Sequence, residues 1–336
     1  MTNKEWKGYL TGKETLFKII EFGTAKARQK FAKHALLGIL GGIYIGFSGI
    51  QVSITVGGAK GIRESNIGVA NMIFGALFSV GFVFSFICGG EIFTDGLVYM
   101  FPSFYAKHIK FRNIMSNWLT TFLMNFLGAF ISAWILTYES DLLNKDPFNE
   151  WVKEFALSKV SQGWFVLFLK GISGAYLVGL AYWLATSAQD IFSKIMGIFF
   201  PILAFGALNL EHATASMYFI FVGLLYKAPG VTVFKFLWRN LLPVTLGNII
   251  GGSVCVASIY YYLYYPKDSV TKEDKNEQEK ELYEMMNDED DELEVPSNVT
   301  RVFRTRKVTS VVKSETSQNE NNINDSETSG IESSSD

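Results

Sequence analysis

The chain has 336 residues, of which 49% are hydrophobic and 15% aromatic, and its formal net charge is −2. Nearly all of the charge lies in the N-terminal region, short connectors and a C-terminal tail, so the composition argues against a soluble protein and indicates a membrane protein. The net charge averages a basic N-terminal region with an acidic tail, and it says little about binding partners.

The first 34 residues form a basic region with eight lysines and arginines, and a second basic group follows the second apolar stretch. By the positive-inside rule, both groups are expected on the cytoplasmic side. The first group comprises Lys4, Lys7, Lys13, Lys18, Lys26, Arg28, Lys30 and Lys33, and the second comprises Lys107, Lys110 and Arg112.

Residues 35–265 are predicted to form a transport domain of six spans, because a transmembrane helix needs about 20 mainly apolar residues. The candidate spans are 35–58, 68–101, 114–138, 164–187, 195–226 and 241–265. Six spans place both termini in the cytoplasm and the connector 139–162 outside. We therefore expect an all-α, multi-pass integral membrane protein.

The second and fifth spans are too long for simple helices and contain polar residues at their centres. Ionisable residues at that depth indicate a functional site. Interruptions at corresponding positions of two halves are typical of transporters and predict an inverted repeat of three plus three spans. Packing kinks are the alternative explanation. The interrupting residues are Glu91, Asp95 and Gly96 in span two, and Asn209, Glu211 and His212 in span five.

Helices that end at mid-membrane would suit an anion, because their N-termini present backbone N–H groups and the positive end of the helix dipole. A carboxylate can also satisfy such N–H groups from within the protein. Asp95 is a candidate for that capping role. Glu211 could either orient the break in span five or bind the exposed N–H groups there.

Four ordered stretches resemble the formate/nitrite transporter family and together cover about residues 25–265. LEHATASMYF is similar to the family's pattern around a Glu-His pair, and EIFTDG is similar to its Glu-Leu-Phe-Thr-Gly-Asn loop. KGISGAYLVGLAYWLA resembles the fourth-span motif, and NLLPVTLGNIIGG matches the sixth-span signature almost letter for letter.

The resemblance implies an aquaporin-like bundle of six helices, two of them interrupted, assembled as a homopentamer with one pore per protomer. It implies transport of small monocarboxylates such as formate, lactate or acetate together with protons, across a lipid bilayer. We expect no enzymatic activity, and nothing suggests a cofactor, a metal site or nucleic-acid binding. The long polar tail favours the plasma membrane.

The resemblance also assigns residues. His212 corresponds to the central histidine of the pore, Thr94 to the threonine that faces it, and Lys159 to the lysine at the outer entrance. Phe93 and Phe205 resemble constriction residues, and Phe82 occupies an apolar position that lines the pore in relatives.

The chain departs from the family pattern at three points. Ala175 and Ser216 replace asparagines, and the loop order Gly-Asn has become Asp95-Gly96. Ala175 cannot donate a hydrogen bond, so the substrate contacts in the middle of the pore differ from those of the family.

A bare carboxylate pays a large desolvation cost in an apolar constriction, whereas the neutral acid pays little. We therefore expect Lys159 to attract the anion, and proton transfer at or before His212 to produce the neutral acid. His212 could instead be a structural residue held by Thr94. An anion channel without strict proton coupling, or a water or glycerol channel, are the alternative functions.

The tail, residues 266–336, holds an acidic run, a basic cluster and a Ser/Asn/Glu-rich end. It lacks the apolar surface that would offset the entropy of ordering, so it is predicted to be disordered and cytoplasmic. The two cysteines, Cys88 and Cys255, lie in apolar spans and indicate buried free thiols rather than a disulfide framework.

Overall fold

The computed structural model describes residues 8–266, and this part of the chain is built from helices. The predicted disordered tail, apart from Pro266, and the first seven residues lie outside the described range. The helices are α1 Gly12–Arg28, α2 Phe31–Gly58, α3 Lys60–Ser65, α4 Ile67–Cys88, α5 Phe93–Tyr105, α6 Phe111–Ile131, α7 Phe148–Ser161, α8 Trp164–Ser187, α9 Ile191–Ala207, α10 Ala213–Leu225, α11 Leu242–Ile249 and α12 Ile259–Tyr264.

π-helical segments extend two of the long apolar helices. Ser132–Tyr138 continues α6. Lys235–Leu241 precedes α11, and Ile250–Ser258 follows α11 and joins it to α12. Five continuous helices in the described residues are long and apolar enough to cross a membrane, and α9 and α10 are two shorter apolar helices. Four of the five continuous helices begin and end near predicted spans, although the last begins at Lys235 rather than at residue 241; Ile67–Cys88 covers only the first part of the predicted span 68–101.

The predicted second and fifth spans are each divided between two helices. α4 ends at Cys88, Gly89 follows with φ of 89°, and α5 begins at Phe93. α9 ends at Ala207, Asn209 has φ of 50°, and α10 begins at Ala213. The chain turns in both places through the left-handed region, which glycine and asparagine adopt most readily.

Asp95 and Gly96, predicted to interrupt span two, lie beyond the interruption in the first turn of α5. The residues between the two helices are 89–92. The other residues predicted to interrupt the spans, Glu91, Asn209, Glu211 and His212, do lie in the connecting segments. The Gly-Gly pair, which supplies the positive φ, is the sequence signal that marks the first break.

Each interruption is held by one buried asparagine. Asn125 accepts a hydrogen bond from the N–H of Phe93 at 2.8 Å and donates to the carbonyl of Glu91 at 2.8 Å. Asn248 accepts from the N–H of Ala213 at 2.9 Å and donates to the carbonyl of Glu211 at 3.3 Å. These amides satisfy backbone groups that the helix ends would otherwise leave unpaired.

A glycine on a long neighbouring helix lies against each interruption. A Cβ on Gly41 of α2 would collide with the carbonyl oxygen of Glu91, and one on Gly174 of α8 with that of Glu211. Only glycine lets these backbones approach so closely. The two interruptions are therefore fixed by the same combination of an asparagine and a glycine.

Gly174→Ala is expected to lower the free energy of unfolding by about 1–3 kcal/mol, because the added methyl group has no space. Gly61 is the matched control, since a Cβ there would meet nothing within 4 Å. Gly61→Ala should leave stability unchanged or raise it, because alanine is the better helix former. Thermal unfolding of both purified variants in detergent measures the difference, and equal midpoints would contradict it.

Two helices outside the predicted spans complete the bundle. α1 begins with a capping box formed by Thr11 and Glu14, and it buries Leu16, Ile19 and Ile20. α7 lies in the predicted outer connector and buries Trp151 and the adjacent Val152. The basic N-terminal region and the outer connector are therefore parts of the packed domain.

Candidate transport site

His212 precedes α10 as its N-cap residue and is fully buried. Its Nδ1 accepts a hydrogen bond from the backbone N–H of Ala215 at 3.3 Å. A backbone N–H can only donate, so Nδ1 is an acceptor and the neutral ring carries its proton on Nε2. The imidazole thus takes the place that a Ser or Asp side chain takes at most helix starts.

The hydroxyl of Thr94 on α5 lies 2.8 Å from Nε2 of His212. Because Nε2 carries the proton, it donates to Thr94 Oγ1, and the hydroxyl hydrogen of Thr94 remains available as a donor. Thr94 is also buried, with 1% of its surface exposed. The contact brings the first turns of α5 and α10 together, as the sequence predicts for these two residues.

Aromatic rings surround this polar pair. The ring of Phe82 lies 5.3 Å from the imidazole and that of Phe205 lies 6.4 Å from it, both edge to face. Phe78 stacks on Phe205 at 6.1 Å. Phe78 was not singled out from the sequence, although its spacing of four residues from Phe82 places both on one face of α4.

Phe93 lies apart from that ring cluster. Its ring packs edge to face on Phe122 and Trp118 of α6, at 5.3 and 6.2 Å. Its backbone N–H is the one bound by Asn125. The geometry thus gives Phe93 a part in anchoring the start of α5, beside the constriction role that the resemblance implies.

A small cavity adjoins His212 on the side of α7. Its volume is about 20 Å³, which is room for a single water molecule. Passage of even a small acid therefore requires movement of the aromatic side chains. The lining residues include Asn71, Phe74, Phe155, Lys159, Phe205 and His212.

A wider cavity of about 470 Å³ lies beside the first half of α7 and shares Phe155 with the small one. Its rim is crossed by an exposed ion pair between Lys60 of α3 and Glu150, at 3.1 Å. The hydrogen bond that Lys60 donates to the carboxylate of Glu150 raises the pKa of Lys60 above its ordinary value. The ring of Phe155 therefore borders both the wider cavity and the small cavity beside His212.

Lys159 is not a free cation at the entrance. It projects from α7, is 5% exposed, and its ammonium binds both carboxylate oxygens of Glu211 at 2.9 and 3.1 Å. The hydroxyl of Ser216 also donates to Glu211, at 3.2 Å. The sequence reasoning named Lys159 and Glu211 separately and missed that they form one buried ion pair, because their separation of 52 residues conceals the contact.

A corresponding ion pair lies at the other interruption and was also missed. Glu91 binds Lys26 of α1 at 2.7 Å and lies 3.1 Å from Nε2 of His34. His34 in turn contacts Thr121 at 2.8 Å and Asn117 at 3.3 Å. Each interruption therefore contains a buried glutamate whose partner lysine comes from a helix outside the predicted spans.

The departures from the family pattern have distinct structural outcomes. Ser216 keeps a polar contact through its hydrogen bond to Glu211. Ala175 packs towards the segment Ile250–Ser258, where a Cβ on Gly251 would lie 3.1 Å from its methyl group. The side chain at position 175 consequently provides no polar group to the site.

Comparison with known proteins extends over the whole helical domain. The family described as formate/nitrite transporter matches residues 13–262. A probable formate transporter of Methanothermobacter thermautotrophicus is 35% identical over 254 residues, which are 71% of this chain and 91% of that protein. The formate channel BtFdhC of Bacillus thuringiensis is 32% identical over 254 residues, covering 76% of this chain and 95% of that protein.

Comparison with solved structures points to the same family as these relatives. A structure described as an FNT family ion channel superposes with a TM-score of 0.68 at 26% identity, covering 74% of this chain and 98% of that one. A pentameric formate channel with formate bound gives a TM-score of 0.62 at 25% identity, covering 70% and 98%. The resemblance drawn from the four motifs is confirmed: this integral membrane chain belongs to the formate/nitrite transporter family.

Proposed function

We propose that the chain transports small monocarboxylates of the formate type together with a proton, through a passage at His212 in each protomer. One observation carries the proposal: the hydrogen-bonded pair of His212 and Thr94 is buried where two helix starts meet, with the rings of Phe82 and Phe205 against the imidazole. Helix starts present N–H groups and partial positive charge, which favour a carboxylate. Relatives and solved structures whose descriptions name formate support this substrate class.

Desolvation decides the form in which the acid crosses. An ionised carboxylate pays several kcal/mol or more on entering an apolar passage, whereas a protonated one pays far less. Carboxylic acids of this kind have pKa values of about 4, so the neutral form is scarce near pH 7 and has to be formed locally. We propose that the proton joins the anion beside His212, and that the neutral acid passes Phe205 and Phe82.

His212 can assist without existing as an imidazolium. Its Nδ1 is occupied by a backbone N–H, so a second proton on the ring would have to displace that bond. The Nε2–H and the hydroxyl of Thr94 are positioned to donate hydrogen bonds to an incoming carboxylate. Such bonds hold the anion until a proton arrives from water in the outer cavity.

Lys159 attracts the anion in this proposal, but as part of an ion pair. Glu211 neutralises most of its field at a distance, so the attraction acts only at close range. An approaching carboxylate next to Phe155 would meet the ammonium, which lies 4.9 Å from that ring. The substrate thus competes with Glu211 for the same cation.

We infer an aquaporin-like arrangement of six spans with a three-plus-three inverted repeat. In this arrangement α4 with α5 and α9 with α10 are the two interrupted spans. Support comes from the matched contacts of Asn125 with Asn248 and of Gly41 with Gly174. A homopentamer with both termini in the cytoplasm of the plasma membrane completes the proposal, and the described pentameric formate channel supports the assembly.

An anion channel without strict proton coupling is the second candidate. The tautomer of His212 favours it, because a neutral imidazole engaged in two hydrogen bonds binds an anion without supplying a proton. The similarity to the formate channel BtFdhC and to an FNT family ion channel points the same way.

Flux measurements on the purified protein in liposomes that enclose a pH-sensitive dye separate the candidates. An inward formate gradient should acidify the interior much faster than in empty liposomes, and clamping the membrane potential with potassium and valinomycin should not change the rate. A formate current that follows the membrane potential, without acidification of the interior, would establish the anion channel. Swelling of the liposomes in glycerol, with neither acidification nor formate current, would reject both the proton-coupled transporter and the anion channel.

A further inference from the structure

Asp95 is distinguished from all its neighbours by its exposure. Within residues 91–100 every other residue is buried, and Asp95 alone keeps accessible surface. It follows Thr94 directly, and Thr94 contacts His212. The residue that keeps this accessible surface is therefore the immediate chain neighbour of Thr94 in the central polar pair.

Comparison with the second half of the chain indicates what the accessible surface of Asp95 faces. Asn125 binds the N–H of Phe93 as Asn248 binds that of Ala213, so α5 and α10 can be aligned residue by residue. Two positions further along, Asp95 corresponds to Ala215. Ala215 lines the small cavity beside His212, which the proposed function places on the outer side of the passage. By this correspondence Asp95 lines the passage on the opposite, inner side, where α5 runs towards the basic connector.

The surroundings of Asp95 contain both signs of charge. Lys26 from α1 and Glu91 from the connector interact electrostatically with it, and so do the hydroxyl groups of Tyr99 on α5 and Tyr182 on α8. The segment Ile250–Ser258 and α11, which also pack on α5, contain no charged residue. The only charged residue of α6 is Arg112 in its exposed first turn.

An aromatic group separates this site from the cytoplasmic surface. Tyr182 contacts Phe86, Tyr99 and Phe22 at ring distances of 5.4, 5.8 and 6.2 Å. The ammonium of Lys26 lies 5.1 Å from the ring of Phe22. In the proposed arrangement Asp95 thus lies between the pair of His212 and Thr94 and the inner mouth. The corresponding position in the outer half holds the methyl group of Ala215.

We propose that Asp95 is the proton acceptor on the cytoplasmic side of the passage. The inference rests on the proposed proton-coupled transport and adds the inner half of the proton path. The neutral acid R–COOH, having passed Phe82, gives its proton to the carboxylate of Asp95, which leaves R–COO⁻ and a protonated Asp95. The anion then moves to the inner mouth beside Lys26, and Asp95 releases its proton to cytoplasmic water.

The physical reason is that an acid is released most readily once it is charged. A neutral acid can return through the aromatic passage, whereas the anion is held back by desolvation. A carboxylate next to the protonated substrate can accept its proton as a general base. Asp95 therefore favours departure towards the cytoplasm.

A capping role is the alternative explanation. Asp95 is the third residue of α5, and its carboxylate interacts with the backbone N–H of Ile92, the N-cap residue. An asparagine side chain can accept that same hydrogen bond. Asp95→Asn therefore removes the exchangeable proton and keeps the cap.

Proteoliposome uptake of labelled formate, with internal acidification recorded at several internal pH values, tests the inference. We expect Asp95→Asn to assemble normally, to acidify the interior at least about 10-fold more slowly, and to lose the dependence on internal pH. Asp95→Glu should restore both. Asp190→Asn is the matched control, because Asp190 caps α9 at an exposed site through Ser193 at 2.9 Å, and its rate should equal that of the unmodified protein.

The outcomes separate this inference from the proposed function. If the unmodified protein acidifies the interior and Asp95→Asn does so equally fast with the same pH dependence, Asp95 is a cap and the inference is wrong. An equal loss in Asp95→Asn and Asp95→Glu also contradicts it, because the glutamate retains an acid. Absence of acidification by the unmodified protein rejects the proposed function instead.

Discussion

His212→Asn is expected to reduce proton-linked formate uptake by about 100-fold or more, the usual range for losing a group that assists proton transfer. Asparagine keeps a side-chain acceptor for the N–H of Ala215, so the start of α10 stays capped. What it lacks is the ring that places an N–H at 2.8 Å from Thr94. The measurement is the initial rate of labelled formate uptake into proteoliposomes at several external pH values.

His212→Phe is the companion variant. It fills the volume of the imidazole but removes the cap, so it should lose uptake and also about 1 kcal/mol of stability. Size-exclusion chromatography and thermal unfolding report assembly and stability separately from transport. Near-normal, pH-dependent uptake by both variants would remove His212 from the mechanism and leave it a structural residue.

Lys159→Met is expected to destabilise the protein by about 3–5 kcal/mol, because it leaves the carboxylate of Glu211 buried and unpaired. Glu211 is 1% exposed, and only the hydroxyl of Ser216 would remain as a side-chain partner. The double variant Lys159→Met with Glu211→Gln should recover most of that loss, since it removes both charges together. Thermal unfolding of the purified protein compares the three forms.

Lys60→Met is the matched control for this prediction. Its pair with Glu150 has the same chemistry, but the two side chains are 49% and 45% exposed. An exposed ion pair contributes about 0–1 kcal/mol, so the control should be nearly neutral. Similar losses in Lys60→Met and Lys159→Met would show that burial is not what makes the Lys159 pair important.

The double variant Lys159→Met with Glu211→Gln also tests whether Lys159 attracts the substrate anion. With the fold preserved, its apparent KM for formate should rise while the maximal rate changes less, because the ammonium near Phe155 is gone. An unchanged KM would mean that Lys159 serves structure alone. In either case the comparison with His212→Asn distinguishes capture of the anion from its protonation.

Much of the helical domain could be predicted from the sequence. Hydrophobic runs of transmembrane length give the spans, because a lipid-facing helix must be apolar along its whole length. The interruptions could be located because glycine and ionisable residues disturb such runs. Gly89 and Asn209, the residues with positive φ at the breaks, belong to the types that adopt that conformation most easily.

The pairing of His212 with Thr94 was predicted through the family resemblance rather than from spacing. Their 118-residue separation carries no physical signal by itself. The helix-break assignment of Asp95 and Gly96 was displaced by a few residues, because the boundary depends on the backbone of 89–92 and the amide of Asn125. Polar composition alone does not fix that boundary.

By itself, the sequence determined the membrane class, the approximate positions of the apolar helices and the family. These follow from local hydrophobicity and from ordered motifs, which need no knowledge of contacts. The tertiary structure alone decided the partners of the buried charges: Lys159 with Glu211, and Lys26 and His34 with Glu91. A buried charge requires a partner in space, and that partner comes from whichever helix packs beside it, however distant along the chain.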